Sequence, residues 1–439
     1  MTLTTTTKSS IKATSGLAIN EGRLLAAIHE TAKFGAKGRW GTQETETGVC
    51  RLALSDLDKK VRDWFVEETS KLGCKIVIDK LGNIFAIYPG KKDGLPTAIG
   101  SHLDTQPTGG RYDGVLGVLT GLEVLRTFKE NNFVPNYPVC VVNWTNEEGA
   151  RFPVSMMSSS VWAGTHTLEN IYNLKSVTDA EPVTVKQELE RIQYMGDVDC
   201  SFEANPLAAH FELHIEQGPI LEETNKKIGL VQGIQALRWF EVKVKGKAQH
   251  TGTTPLRSRS DALLAASKMV VRGNEIAHKH DGLCSVGIME LVPAVVNVIP
   301  EDVRYIVDMR NPDDTKLNKM FDEFQAAVKE ITKESGVKLS FELKELLHQK
   351  AVHFDETCKK CIKDSATELY GADQTLPIVS GAGHDSGLTA LKCPTAMIFI
   401  PSRDGVSHNP EEYSTPEQVH EGLEVMLNAV LKYDAQRTK

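Results

Sequence analysis

The chain has 439 residues, of which 41% are hydrophobic and 25% charged, the balance of an ordinary globular protein rather than a disordered one. Domains typically hold about 100–200 residues, so two domains are the simplest expectation. The formal net charge of -8 excludes the basic footprint of a nucleic-acid binder, and there is no polybasic cluster for an anionic membrane.

The opening stretch MTLTTTTKSSIKATSG is polar and has no apolar h-region. It reads as a flexible tail over residues 1–15, not a secretory signal. No apolar run reaches the roughly 18 residues of a membrane span, so a cytoplasmic location is the default. Residues 17–70 read mostly as helix, with Leu24, Leu25 and Ile28, then Val61, Trp64 and Phe65, at helical spacing. CKIVID and NIFAIYP read as two strands joined at Leu81-Gly82. PTAIGSHLD is a short strand ending in His102 and Asp104, followed by a Gly-rich loop and the amphipathic helix GVLGVLTGLEVLRTFKENN. The strands YPVCVVNWTNEEG and FELHIEQG complete a strand–helix–strand rhythm that predicts an α/β domain with a largely parallel sheet.

From about residue 231 the pattern changes to strand–helix–strand–strand–helix–strand. That order predicts an inserted ferredoxin-like α+β unit over 231–345. The α/β pattern then resumes, giving a discontinuous catalytic domain of 16–230 and 346–439. Its last helix starts at Thr415-Pro416-Glu417-Gln418, with Thr as N-cap, Pro at the first helical position and Gln closing a capping box. The eight cysteines are scattered and expected to be free and reduced. Cys358 and Cys361 form a lone CxxC in a helix-like stretch, without the partners a zinc site needs.

Chemistry-bearing residues cluster just past the apolar strands. His102 and Asp104 lie two apart on a strand and face one side, so Asp104 is placed to orient a metal-bound imidazole. Asp113 follows a Gly-rich return that brings it over the strand end; its alternative reading is a helix N-cap. Glu147 and Glu148 are adjacent carboxylates at the end of a buried strand, pointing to opposite faces, so one can bind metal while the other serves as base. His214 follows a third strand, and His408 sits in an Asn-Pro loop after a fourth, whereas His210 reads as structural. His102, Asp113, Glu148, His214 and His408 would therefore lie at the carboxyl ends of the strands, where α/β sheets place ligand sites. This donor set suits two Zn²⁺, with Mn²⁺ as alternative, and needs one shared carboxylate, for which Asp113 is the choice. Paired metals about 3.5–4 Å apart clamp a water and lower its pKa towards ~7, leaving Glu147 to take its proton.

SHLDTQPTGGRYDG, TNEEGARF, HIEQGP, HTGTTPLRSRSDAL and GVSHNPEE together resemble the peptidase-M20-like metal-dependent amidohydrolases. More narrowly they resemble the branch that holds N-carbamoyl-L-amino acid hydrolases, allantoate amidohydrolases and fungal-type β-alanine synthase (β-ureidopropionase), the last being the nearest match expected. The resemblance runs from about residue 20 to the C-terminus. It implies a zinc-aminopeptidase-like catalytic domain with an inserted dimerisation or lid domain. It also implies one metal held by His102, Asp113 and His214, and another by Asp113, Glu148 and His408, with Glu147 as base.

Further roles are implied in the same way. Gln217 and His384 would line the pocket, and His250 would stabilise the oxyanion, reaching the neighbouring subunit's site in a homodimer. Asn297 and Arg310 would grip the carboxylate of a small ureido substrate, for which the guanidinium fork is suited. Arg259 and Asp261 read as an interdomain scaffold pair. The activity expected is hydrolysis of N-carbamoyl-β-alanine to β-alanine, CO₂ and NH₃, the last step of reductive pyrimidine breakdown. The alternatives are an N-carbamoyl-L-amino acid or allantoate as substrate, a dipeptidase, or a non-catalytic metal-binding protein.

Overall fold

The structure, a computed structural model, describes residues 16–334 and 338–437. The tail expected over residues 1–15 lies outside them. The described residues form two compact units, one of residues up to Gly233 and from His353 onward, the other Ile234–Val352. No helix among the described residues is long and apolar enough to cross a membrane. None of the eight cysteines is in a disulfide.

The first unit begins with α1 (Arg23–Ala32) and α2 (Asp56–Lys71). Between them the mostly helical reading of residues 17–70 is interrupted. Residues 36–39 and 47–49 pair as a small antiparallel ribbon, and Gly35 and Gly38 carry φ of 121° and 67°. Glycine is at ease there and breaks the helical run. α2 restarts cleanly because the Ser55 side chain accepts the Asp58 N–H.

A nine-stranded sheet follows. Its strands in chain order include β1 (Lys75–Ile78), β2 (Ile84–Tyr88), β3 (Thr97–His102), then, after helix α3 (Val115–Glu130), β4 (Val139–Trp144), β5 (Ala209–Ile215) and β6 (Ile228–Ile234). β3 lies between β4 and β5 and is parallel to both. β1 pairs with β2 and β2 with β4 antiparallel, so the sheet expected to be largely parallel is parallel only at its centre. β3, β4 and β5 are buried along their whole length, as strands covered on both faces must be. α3 is not amphipathic as expected. It packs on β3, β4 and β5 on one side and against α1 and the C-terminal helix on the other, so apolar residues surround it.

The second unit holds β7 (Ala236–Lys245), α4 (Ala262–Lys279), β8 (Leu283–Val292), β9 (Asp302–Asn311), α5 (Asp314–Glu334) and β10 (Ser340–Gln349). The strands form one antiparallel sheet in the order β8-β9-β7-β10, the ferredoxin-like arrangement. Both helices cover one face, enclosing Phe240, Val242, Tyr305, Met309 and Phe324. The boundary expected at residue 345 cuts β10; the unit ends at Val352. Asp261 caps α4 by accepting the Leu264 N–H at 2.9 Å. Arg259 donates to the carbonyls of Thr251 and Thr254, so both residues of the expected scaffold pair make hydrogen bonds within this unit.

The first unit resumes with α6 (Glu356–Tyr370), β11 (Thr375–Ser380), β12 (Thr395–Ile400) and α7 (Pro416–Gln436). β12 runs parallel to β5, and this brings its carboxyl end beside those of β3, β4 and β5. α7 has the Thr415–Gln418 capping box with Pro416 in its first turn.

Candidate metal centre

His102 closes β3, and its ring Nδ1 donates to the Asp104 carbonyl oxygen at 2.9 Å. His214, at the end of β5, donates from Nδ1 to the Ile215 carbonyl at 2.8 Å. In both rings the carbonyl takes Nδ1 and Nε2 is turned inward, the orientation a metal-binding imidazole requires. His102 Nε2 lies 3.7 Å and His214 Nε2 3.0 Å from the same oxygen of Asp113, Oδ1. The other oxygen, Oδ2, lies 3.2 Å from His408 Nε2, which is also 3.4 Å from Glu148 Oε2. Two donor groups result, His102–Asp113–His214 and Asp113–Glu148–His408, sharing one carboxylate. Glu147 Oε2 stands 3.5 Å from His102 Nε2. His408 is half exposed and adopts φ 54°, a left-handed backbone that swings its ring over Asp113.

The electrostatics fit cations. Burial pushes the Asp113 carboxyl up, but hydrogen bonds from His214 and His408 outweigh it and hold it well below the usual range. Burial, with Asp385, Glu148 and Asp113 nearby, pushes Glu147 well above the usual carboxylate range. Burial and Asp113 push Glu148 to about 8. Asp113 raises His408 to about 9 against burial, and it offsets the burial of His214 to raise that ring to about 9 also. Buried carboxylates that repel one another, facing imidazole Nε2 atoms, match the donor chemistry of borderline dications, whose charge returns such groups to carboxylate and neutral imidazole.

Several supports differ from the sequence reading. The Asp104 carboxylate accepts the backbone N–H groups of Glu147 and Glu148, each at 3.3 Å, while only its carbonyl touches His102. Asp104 therefore aims the glutamate pair more than the imidazole. Gln217 donates from Nε2 to Asp113 Oδ2 at 2.9 Å and to Ser407 Oγ at 3.2 Å. His384, expected to line the pocket, packs against the His214 ring. It is buried, with Nε2 2.9 Å from Ser380 Oγ and its ring edge-to-face on His214 at 4.6 Å. Glu212 beside it is saturated by Ser101 and Ser386, so Glu212–His214–His384 is a satisfied network behind the centre.

Three residues escaped the sequence reading, although Gln106 and Glu412 lie in its motifs and Asp385 follows His384. Gln106 donates to Glu148 from Nε2 at 2.8 Å and from its backbone at 3.1 Å. Glu412 grips the Asp113 loop. Asp385 stands buried near Glu147, with Ser159 Oγ at 2.5 Å. Arg51 gave no signal at all, yet it is wholly buried and donates to the carbonyls of Leu103, Thr31 and Phe34, bracing the loop after His102.

The remaining expected residues belong to the second unit. His250 is exposed, and its Nδ1 accepts the N–H groups of Gly252 and Thr253 at 3.1 and 3.2 Å. Its proton therefore resides on Nε2, making that atom a donor. Asn297 lies beside it, its carbonyl accepting the Thr251 N–H at 3.0 Å. Arg310 stands on β9, its Nε and Nη2 held by Asp308 at 2.9 and 2.6 Å.

A family model described as peptidase family M20/M25/M40 matches residues 98–432. An N-carbamoyl-L-amino-acid amidohydrolase of Rhizobium meliloti is 40% identical over 417 residues, covering 94% of this chain and 96% of its own. A ureidoglycolate hydrolase of Oryza sativa subsp. japonica is 34% identical over 400 residues, covering 88% of this chain and 81% of its own. Among solved structures, an amidase of the hydantoinase/carbamoylase family from Burkholderia multivorans has a TM-score of 0.88 at 42% identity, covering 96% of this chain and 99% of the other. With the model spanning most of the chain and relatives alike over nearly their whole length, the chain belongs to peptidase family M20/M25/M40 and is an amidohydrolase within it.

Proposed function

We propose that the protein hydrolyses the ureido group of an N-carbamoyl-L-α-amino acid, releasing the amino acid, CO₂ and NH₃. The observation that carries this is Asp113, whose two oxygens face two separate donor groups with Glu147 at their side. His102, Asp113 and His214 would hold one divalent ion and Asp113, Glu148 and His408 the other, Zn²⁺ or Mn²⁺. Bound there, such ions supply Lewis acidity and lower the pKa of the attacking water. Glu147, aimed by Asp104, accepts the proton of that water and returns it to the leaving nitrogen. The His250 Nε2–H is the donor for the developing oxyanion, and Asn297 and Arg310 take the substrate carboxylate. Delivery of His250 to the centre of a second copy, in a homodimer, rests on the family resemblance. The eight unpaired thiols suit a reducing cytoplasmic setting.

The relatives speak for an α-carbamoyl amino acid or a ureido acid rather than for the N-carbamoyl-β-alanine expected from the sequence. Replacing Glu147 tests the chemistry. Glu147→Gln should keep its metal content and substrate affinity while kcat falls roughly 10²–10⁴-fold, the usual range for a lost acid–base group. Wild-type turnover in that variant would remove Glu147 from the mechanism.

A further inference from the structure

Glu412 is not among the metal donors, yet it is buried and tied to the residue both donor groups share. Its Oε1 accepts the backbone N–H groups of Tyr112 and Asp113, each at 3.0 Å. Its Oε2 lies 3.1 Å from Ser407 Oγ, and that hydroxyl lies 3.1 Å from Asp113 Oδ2. The fit is close: a Cβ added at Gly110 would sit 2.1 Å from Glu412 Oε1. The two loops meet once more where Thr108 Oγ1 donates to the His408 carbonyl at 3.1 Å. Asp113 and His408 come from chain segments some three hundred residues apart, and no regular hydrogen-bond ladder joins their loops. Side chains join them instead: Glu412 through two backbone N–H groups, with Ser407 and Thr108 beside it.

We propose that Glu412 is a positioning residue that sets Asp113 against His408, so that occupation of the Asp113–Glu148–His408 group depends on it. The proposal rests on the two-metal reading above. Geometry and not charge is the basis. A glutamine here would accept the same two N–H groups with its oxygen and donate to Ser407 with its amide. The Ser407 hydroxyl, which has one proton to share between two carboxylates, would then be free to serve Asp113 alone. Alanine would leave two buried N–H groups unpaired, and aspartate, one methylene shorter, could not span Asp113 and Ser407 together.

The test is titration of the metal-stripped full-length protein with Co²⁺, followed by calorimetry and by the visible d–d absorption of the bound ion. The wild type is expected to take two equivalents. E412A should lose at least tenfold in affinity for one of them, with loss or shift of that ion's absorption, while the other is retained. E412Q should stay within threefold of the wild type in both signals. E412D should behave as E412A, and it carries the test if circular dichroism shows E412A unfolded. Wild-type affinities for both ions in E412A or E412D would overturn the proposal, and so would an E412Q as defective as E412A. A wild type that takes up no ion would overturn the two-metal reading as well, which distinguishes that failure from a failure of Glu412 alone.

Discussion

His210 and His214 sit on the same face of one buried strand and titrate in opposite directions because of what each meets. His214 faces Asp113 and is raised to about 9. Burial lowers His210 to about 4, and its ring accepts from Trp144 Nε1 at 3.4 Å and contacts Ser386 Oγ at 3.3 Å as a neutral group. A histidine whose folded pKa lies below its unfolded value of about 6.5 costs nothing above that pH. As pH falls from about 6.5 to 4 the unfolded chain takes the proton and the folded one does not, so stability drops by about 3 kcal/mol in that window. The thermal midpoint of the wild type should therefore fall more steeply between pH 6.5 and 4 than that of His210→Gln. Parallel curves would contradict the assignment. At this scale the two candidate groups that the structure brings together were legible, since His102, Asp113, Glu148, His214 and His408 each follow an apolar strand or a glycine loop. Their supports were not. Glu412 acts through backbone atoms of a loop distant in sequence, Gln106 through the Glu148 carboxylate on another strand end, and Asp104 turned from the imidazole to the Glu147–Glu148 amides, a choice set by how β3 and β4 end side by side.

The passage from β3 to α3 shows how an element is built around the centre. Gly114 enters the helix at φ 67°, and a Cβ there would lie 2.2 Å from the His102 ring. Only glycine lets the helix start beneath the imidazole. Gly114→Ala should displace His102 and reduce metal content to at most one ion per chain at equimolar loading, read by atomic absorption on folded protein. Full loading of two ions would show that the ring yields without cost. The capping box of α7 was legible in the sequence because its signals are local. The ribbon between α1 and α2 was not, since it is held by a distant bridge from Val49 to Gly109. Nor was the burial of α3 on every side, which depends on α1 and α7 covering its outer face. Strand direction likewise depends on chain order across the sheet, which alternation of residues does not report.

At the scale of the molecule, the inserted unit was legible as a change of rhythm, because βαββαβ order with alternating residues is a local pattern. Its end was not, because β10 alternates only over its first half and then runs exposed. The assignment to an M20 amidohydrolase stands on motifs spread over the whole chain, whereas the substrate turns on a methylene worth only about 1–3 kcal/mol in a pocket. The most direct test is ammonia release by the metal-loaded protein from N-carbamoyl-L-methionine, N-carbamoyl-β-alanine and ureidoglycolate, compared as kcat/KM. The account predicts that the α-carbamoyl amino acid is preferred over N-carbamoyl-β-alanine by about tenfold or more. Preference for N-carbamoyl-β-alanine, or no ammonia from any of the three, would contradict it.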